Sequence, residues 1–175
     1  MTEDTSVELK PTSPTDSDKF PVITEWRLRL MTGAHISEFM PIILETILAS
    51  LPPHEKENPI LRANISGALV DGRVQVWGIL GKVQDTNQWR PIGYMTTAIR
   101  PDELTGKSTL LIYTMFSFGV ISDAAYTGFN SVLVDYAKEQ GCAKLALFTS
   151  NARVIKMTQR QGWDTDWRFV FRDLE

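Results

Sequence analysis

The chain has a single cysteine, Cys142, so an internal disulfide is excluded. One cysteine and two histidines, His35 and His54, also give no spaced set of metal ligands. A lone thiol suits a reducing compartment, and a cytoplasmic protein is the expectation. Cys142 opens an apolar run, so it reads as a small core residue rather than a nucleophile. No apolar run reaches the roughly 18 residues that a spanning helix requires, and the first residues form no apolar signal segment. Cationic excess is missing too. Lys and Arg number 18 against 21 Asp and Glu, a net charge of −3, which argues against a nucleic-acid-binding surface. Nucleic acid, membrane and metal are therefore not expected as partners.

What is present is an ordinary globular composition, 43% hydrophobic and 22% charged. A length of 175 residues is enough for one domain with a proper core. Residues 1–20 differ in kind. Glu3, Asp4, Glu8, Asp16 and Asp18 stand against Lys10 and Lys19, with Pro11, Pro14 and many Ser and Thr between them. Such a segment cannot offset its ordering entropy and is expected to be a disordered acidic tail in isolation. A protein partner or a neighbouring subunit is expected to order it.

The folded part is expected over 21–175. From Thr24 to Met31, Trp26, Leu28 and Leu30 alternate with Glu25, Arg27 and Arg29, the pattern of a half-buried strand. Ala34 to Leu51 has helical spacing, with Pro41 inside it as a kink or a divider. Asn58-Pro59 reads as a helix start, followed by a stripe through Ile60, Leu61, Ile65 and Leu69 that Gly72 ends. Three strands then form an antiparallel meander: Arg73 to Val83, Arg90 to Arg100 and Thr109 to Phe118.

The run Leu110 to Gly162 is the most informative. Leu110–Phe118 is an apolar strand. Gly119 to Ser122 turns the chain. Asp123 is placed to cap a helix that Gly141 follows. Ala143 to Thr149 is a second strand, and Asn151 is placed to cap a second helix that Gly162 ends. Two strands joined through a helix are expected to be parallel, with a right-handed crossover. A last strand is read over Trp163 to Arg172, with Thr165, Trp167, Phe169 and Phe171 on one face.

The segment Asn151-Ala-Arg-Val154-Ile155-Lys-Met157-Thr158-Gln-Arg-Gln-Gly162-Trp163 resembles a motif of the GNAT N-acetyltransferase superfamily. The family pattern there is Asn, two variable residues, Ala-Ile, one variable, Phe-Tyr, three variable, Gly-Phe. The resemblance implies an α/β (α+β) fold, a mixed, mostly antiparallel twisted sheet flanked by helices. Its element order would be β-α-α-β-β-β-α-β-α-β.

It also implies where acetyl-CoA would sit. In the family, a turn with the pattern Arg/Gln-x-x-Gly-x-Gly/Ala and the helix after it hold the pyrophosphate on backbone N–H groups. Counted back from Gly141, that pattern falls on Ile121 to Tyr126. Ile121 replaces the basic or amide residue, Ala124 the first glycine and Tyr126 the second. Asp123 brings a carboxylate to an anion site. Either this is a modified CoA loop, served by Phe118, Gly119, Val120, Asp123, Ala124 and Ala125, or it is a capped helix with Tyr126 in the core. With the loop lost, CoA binding is expected to be weak or absent. The change of Asp123 and Tyr126 to glycine is expected to restore some of it.

Thr158 stands where many family members place a tyrosine that protonates the departing thiolate. A threonine hydroxyl is a much poorer acid near neutral pH, although some members lack the tyrosine and still turn over. Asn151 reads as a CoA contact or simply as a helix cap. Main-chain groups of Ser117 to Gly119, where the two parallel strands diverge, can pair with a pantetheine arm or an extended peptide. Phe116, Phe118, Trp163 and Trp167 are expected to cluster nearby.

Two functions compete on this reading. One is a non-catalytic binding or structural protein without CoA, such as the GNAT-like proteins that some tailed phages carry in or near the virion. The other is an acetyl-CoA-dependent N-acetyltransferase with an atypical loop.

Overall fold

Trp26 and Leu28 turn inward and Arg27 and Arg29 outward along the first strand, β1 (Ile23–Leu30). The computed structural model, in which this is seen, describes residues 20–51, 60–149 and 151–166. Helix α1 (Gly33–Ser50) follows and runs through Pro41 without a break. Helix α2 (Leu61–Val70) then leads into the meander β2 (Gln75–Val83), β3 (Trp89–Pro101) and β4 (Ser108–Ser117). Helix α3 (Asp123–Glu139), strand β5 (Cys142–Leu147) and helix α4 (Ala152–Arg160) complete the order. The start at Asn58-Pro59 and the tail of 1–19 lie outside the described residues. So does most of the final strand. Its first four residues, 163–166, are not in a strand.

The sheet order is β1-β2-β3-β4-β5 among the described residues. Its first three pairings are antiparallel, and β4 pairs with β5 in parallel, with α3 crossing over between them. This is the mixed, mostly antiparallel sheet that the sequence suggests.

Each face of the sheet has its own apolar layer. On one, α3 brings Ala125, Phe129, Leu133 and Ala137 down onto Trp77, Ile79, Met95 and Leu110. The spacing of four residues makes this a single stripe of the helix. On the other, Phe39, Ile43 and Ile47 of α1 and Leu69 of α2 cover Val76 and Tyr94. Fully burying a side chain such as Ile43 or Leu133 contributes about 1.5–3 kcal/mol. Polar groups inside are matched. Trp77 Nε1 donates to Thr97 Oγ1 at 2.9 Å, and Thr96 and Thr114 share a hydrogen bond of 2.7 Å.

Helix ends follow from local chemistry. Gly141 and Gly162 adopt φ of 70° and 79° after α3 and α4, where a side chain would be strained. The N-cap of α3 is Ser122 and not Asp123. Ser122 Oγ accepts from Ala125 N–H at 3.2 Å, and Asp123 is the first helical residue. The two types cap about equally well, so residue type alone does not separate neighbours.

Gly93 fixes how closely β3 and β4 approach at the end of the sheet near the crossover. A Cβ there would lie 2.2 Å from the Phe116 carbonyl oxygen and 2.8 Å from Ser117 Cα. Backbone cannot yield as a side chain can. Gly93→Ala is expected to cost about 1–3 kcal/mol, as other overpacked sites do, measured by urea unfolding. A neutral result would mean that the two strands are not held at this spacing.

Candidate functional site

Strand β4 parts from β5 halfway along. Their pairing runs from Ser108 opposite Cys142 to Ile112 opposite Leu147. Beyond it β4 continues to Ser117 with β3 as its one strand partner among the described residues. The cause lies at Tyr113. Thr97 of β3 faces Ile112, and its neighbour Thr96 faces Thr114, so Tyr113 is an extra residue, a bulge. Nothing in the residue types around Tyr113 signals this.

The opening therefore lies along Tyr113–Ser117, earlier than Ser117 to Gly119 where the sequence reading puts it. Two main-chain groups of the later stretch are already engaged. Phe118 N–H donates to the Ile92 carbonyl at 2.7 Å, and Ser117 Oγ donates to the Gly119 carbonyl. The Phe118 ring meets Phe116 and Tyr94 edge-on at 5.2 and 6.4 Å between centroids. Val120 is exposed, and Phe20 lies against Gly119. Trp163 is half-buried and makes no ring contact with this cluster among the described residues, and Trp167 lies outside them.

The first turn of α3 divides its residues between two sides. Ala124 and Ala125 face β1 and line a groove of about 630 Å³ whose floor is Leu28 and Phe129. That groove is the larger of the two described here. Its charged lining residues are Glu25, Arg27 and Arg29; Glu25 is held by Lys82 at 2.6 Å, and Arg27 lies over the Trp89 ring at 4.2 Å.

Asp123 faces the other way, toward α4. Arg153 Nη2 donates to Asp123 Oδ1 at 3.2 Å and to the Ile121 carbonyl at 3.1 Å. Arg160 Nη1 lies 3.6 Å from Asp123 Oδ2. Lys156 is on the same side of α4, and with Asp123, Ala152 and Met157 these residues line a cleft of about 250 Å³. Two of the three cations lining the cleft contact its one carboxylate, so the cleft carries a surplus of positive charge. Asp123, read in the sequence as a carboxylate at an anion site, is thus paired with Arg153 and Arg160. The carboxylate is matched twice over by a helix that begins some thirty residues later.

Tyr126 does not fill the space over the helix start. Its ring packs against the α3 core layer and meets Phe129 at 6.3 Å. Burial is the main influence on its hydroxyl, whose pKa is raised. The Cys142 thiol is likewise pushed up by burial, which suits a core residue.

Asn151 caps α4, its Oδ1 accepting from Arg153 N–H at 2.9 Å. That bond satisfies one of the free N–H groups in the first turn of α4. Thr158 is buried, and its hydroxyl donates to the Ile155 carbonyl at 2.9 Å. A buried hydroxyl turned back onto its own helix is not placed to give a proton to a leaving group.

The structure thus brings Asp123 and the α4 cations together and leaves Thr158, Ala124 and Ala125 apart from them. The sequence reading missed Arg153, Lys156 and Arg160. Their spacing of three and four puts them on one helix face, and this was the available signal.

The donor set suits a diphosphate. Guanidinium and ammonium groups bind phosphate oxygens well, and the α3 N-terminus adds a favourable dipole. Against it, one first-turn N–H, that of Ala125, is already taken by Ser122. No group of three or more potential metal ligands occurs among the described residues, and no helix there is long and apolar enough to cross a membrane.

No protein-family model matches the chain, and no curated protein matches it. Solved structures do. A ribosomal-protein-alanine N-acetyltransferase from Brucella melitensis biovar Abortus 2308 superposes with a TM-score of 0.59 at 16% identity, over 86% of this chain and 100% of that one. AAC(6')-Iy in complex with a bisubstrate analogue, CoA-S-monomethyl-acetylneamine, gives 0.59 at 15% identity, over 87% and 99%. A predicted acetyltransferase with acetyl-CoA from Clostridium acetobutylicum gives 0.55 at 19% identity, over 85% and 96%. At these identities the likeness establishes the fold, and it is the GNAT acetyltransferase fold.

Proposed function

We propose that this GNAT-fold chain binds acetyl-CoA and serves as an N-acyltransferase with an atypical anion site. One observation carries the reading. The carboxylate of Asp123, which in the sequence stands against a diphosphate, is held by Arg153 and Arg160 with Lys156 beside it. Those pairs are exposed, and such ion pairs contribute only about 0–1 kcal/mol each. The arginines can therefore turn to an incoming phosphate at little cost.

Arg153, Lys156 and Arg160 would hold the diphosphate in place of a glycine-rich loop. The unpaired side of Tyr113–Ser117 would receive the extended arm by main-chain hydrogen bonds. Acetyl-CoA supplies the activated acyl group. The chain would orient it, with the acceptor amine attacking directly. It offers no side-chain acid at Thr158, so protonation of the thiolate would fall to solvent.

The CoA-containing neighbours support this reading. They give no support to a virion-associated protein. A non-catalytic binding protein keeps two observations in its favour, the Ala125 N–H occupied by Ser122 Oγ and the Thr158 hydroxyl tethered to the Ile155 carbonyl.

Calorimetric titration with acetyl-CoA tests the proposal, followed by thiol release in the presence of small amines. A dissociation constant in the micromolar range with turnover is expected. No heat of binding from a folded sample would overturn the proposal and leave the non-catalytic reading.

A further inference from the structure

Strand β1 lies at an edge of the sheet. It pairs with β2 on one side, and no described strand pairs with it on the other. A free edge is a template for further pairing unless it is short, covered or broken by proline or lysine. β1 has eight residues with neither proline nor lysine, and Thr24, Glu25, Arg27, Arg29 and Leu30 are exposed on it. Just past its end, Met31 N–H donates to the Val76 carbonyl of β2. Main-chain groups alternate sides along a strand, so those of Trp26, Leu28 and Leu30 point away from β2.

The groove of about 630 Å³ follows this free edge. Every residue from Thr24 to Arg29 lines it. Successive strand residues face opposite sides, so the space wraps the edge itself. Its other wall is the flank of α3 at Ala124, Gly128 and Val132, four residues apart. A Cβ added at Gly128 would meet nothing within 4 Å, so this wall stands open.

We infer that β1 pairs antiparallel with β1 of a second copy, joining two sheets across a two-fold axis at Trp26. The charge order along the strand selects both occupant and register. With Trp26 opposite its own counterpart, Glu25 faces Arg27 of the second copy, and Arg27 faces the second copy's Glu25. Two opposite-charge pairs form, and no like charges stand opposite one another. An axis at Arg27 would set Arg27 against itself, and one at Leu28 would set Arg27 against Arg29. An axis between residues would mix the two faces of the sheet. Within each chain, Lys82 holds Glu25 and the Trp89 ring holds Arg27, so both side chains already stand in that row. The two Trp26 residues exchange the main-chain bonds that each lacks alone. Such a contact is the same patch on both copies and closes as a dimer. It does not rest on the acetyl-CoA reading, because Asp123 and α4 line a different cleft.

Sedimentation equilibrium of the full chain tests the pairing. A dimer with a dissociation constant in the micromolar range is expected. Arg27→Glu sets acid against acid at both places, and Glu25→Arg sets base against base. Each variant alone is expected to dimerise about tenfold more weakly, or worse. Mixed in equal amounts, the two variants are expected to regain the native affinity as a heterodimer, since every facing pair is then acid against base. A chain carrying both substitutions is expected to pair with itself again. Both side chains are exposed, and thermal unfolding checks that each variant is folded.

A native chain that stays monomeric through the micromolar range would overturn the inference and leave the edge to an unrelated extended peptide. A dimer that both single variants leave intact would place the interface elsewhere and overturn it too. So would a mixture of the two variants that stays monomeric. Sedimentation needs no ligand, so its result stands apart from the titration with acetyl-CoA.

Discussion

Changing Arg153 and Arg160 together to glutamate is expected to weaken acetyl-CoA binding by on the order of a hundredfold. The loss follows from the local charge count. The native cleft sets Arg153, Lys156 and Arg160 against Asp123. The double variant leaves Lys156 alone against three carboxylates. Each charge-assisted contact to a phosphate is typically worth about 1.5–3 kcal/mol, and exposure of these side chains takes both toward the low end. Two such losses come to about two powers of ten.

Stability is expected to change little by comparison. Both arginines are well exposed, at 59% and 74%, so their pairing with Asp123 holds the fold only weakly. The Arg153 bond to the Ile121 carbonyl adds about 1 kcal/mol. Calorimetry gives the affinity and thermal unfolding the control. Arginine to lysine at both sites is expected to keep most of the binding, since charge is retained and only fork geometry is lost. An unchanged dissociation constant in the glutamate variant would place the anion somewhere else.

The second large effect concerns Tyr126. Tyr126→Ala is expected to destabilise the protein by about 3 kcal/mol, the low end for loss of an aromatic ring because this one is half-buried. In urea the midpoint should fall with little change in slope. A loss under about 1 kcal/mol would mean that the ring is not part of the α3 layer. The same geometry changes what glycine at 123 and 126 would do. Read from the sequence, the pair reopens a phosphate loop. In the structure, glycine at 126 removes a ring from the core and adds about 1 kcal/mol of helix penalty. Asp123→Gly alone is the cleaner probe of the anion site.

Much of the fold was legible because its signals are local. The apolar run at Leu110, the caps near residues 122 and 151, and the glycines at 141 and 162 each depend on neighbours a few residues away. From them come β4, α3, β5 and α4 in the right order and with the right crossover.

The site was harder to read because its defining contacts are long-range. Asp123 meets Arg153 and Arg160 across 30 and 37 residues of sequence, and the carboxylate looks uncompensated until the fold brings α4 beside α3. Tyr126 has the same ambiguity in a different form. At the first turn of a helix, a ring can point to the ligand or to the core, and here its packing on Phe129 and the α3 layer decides. Strand ends also shifted. The apolar run predicts a strand to Thr149, yet pairing ends at Leu147, where β4 bulges away.

That bulge does one thing more. Up to Ile112, the even-numbered residues of β4 look toward α3, as Leu110 and Ile112 do. After Tyr113 it is odd-numbered Met115 that looks toward α3, while Phe116 stands opposite Tyr94 on the α1 side. The strand thus changes reading frame at one residue, much as a message does at an insertion. Its floor is written in one phase and its mouth in the other. Deleting Tyr113 would leave a regular ladder in which Met115 and Phe116 keep their faces, so one inserted residue sets where β4 bends from β5 and not which side chains it buries.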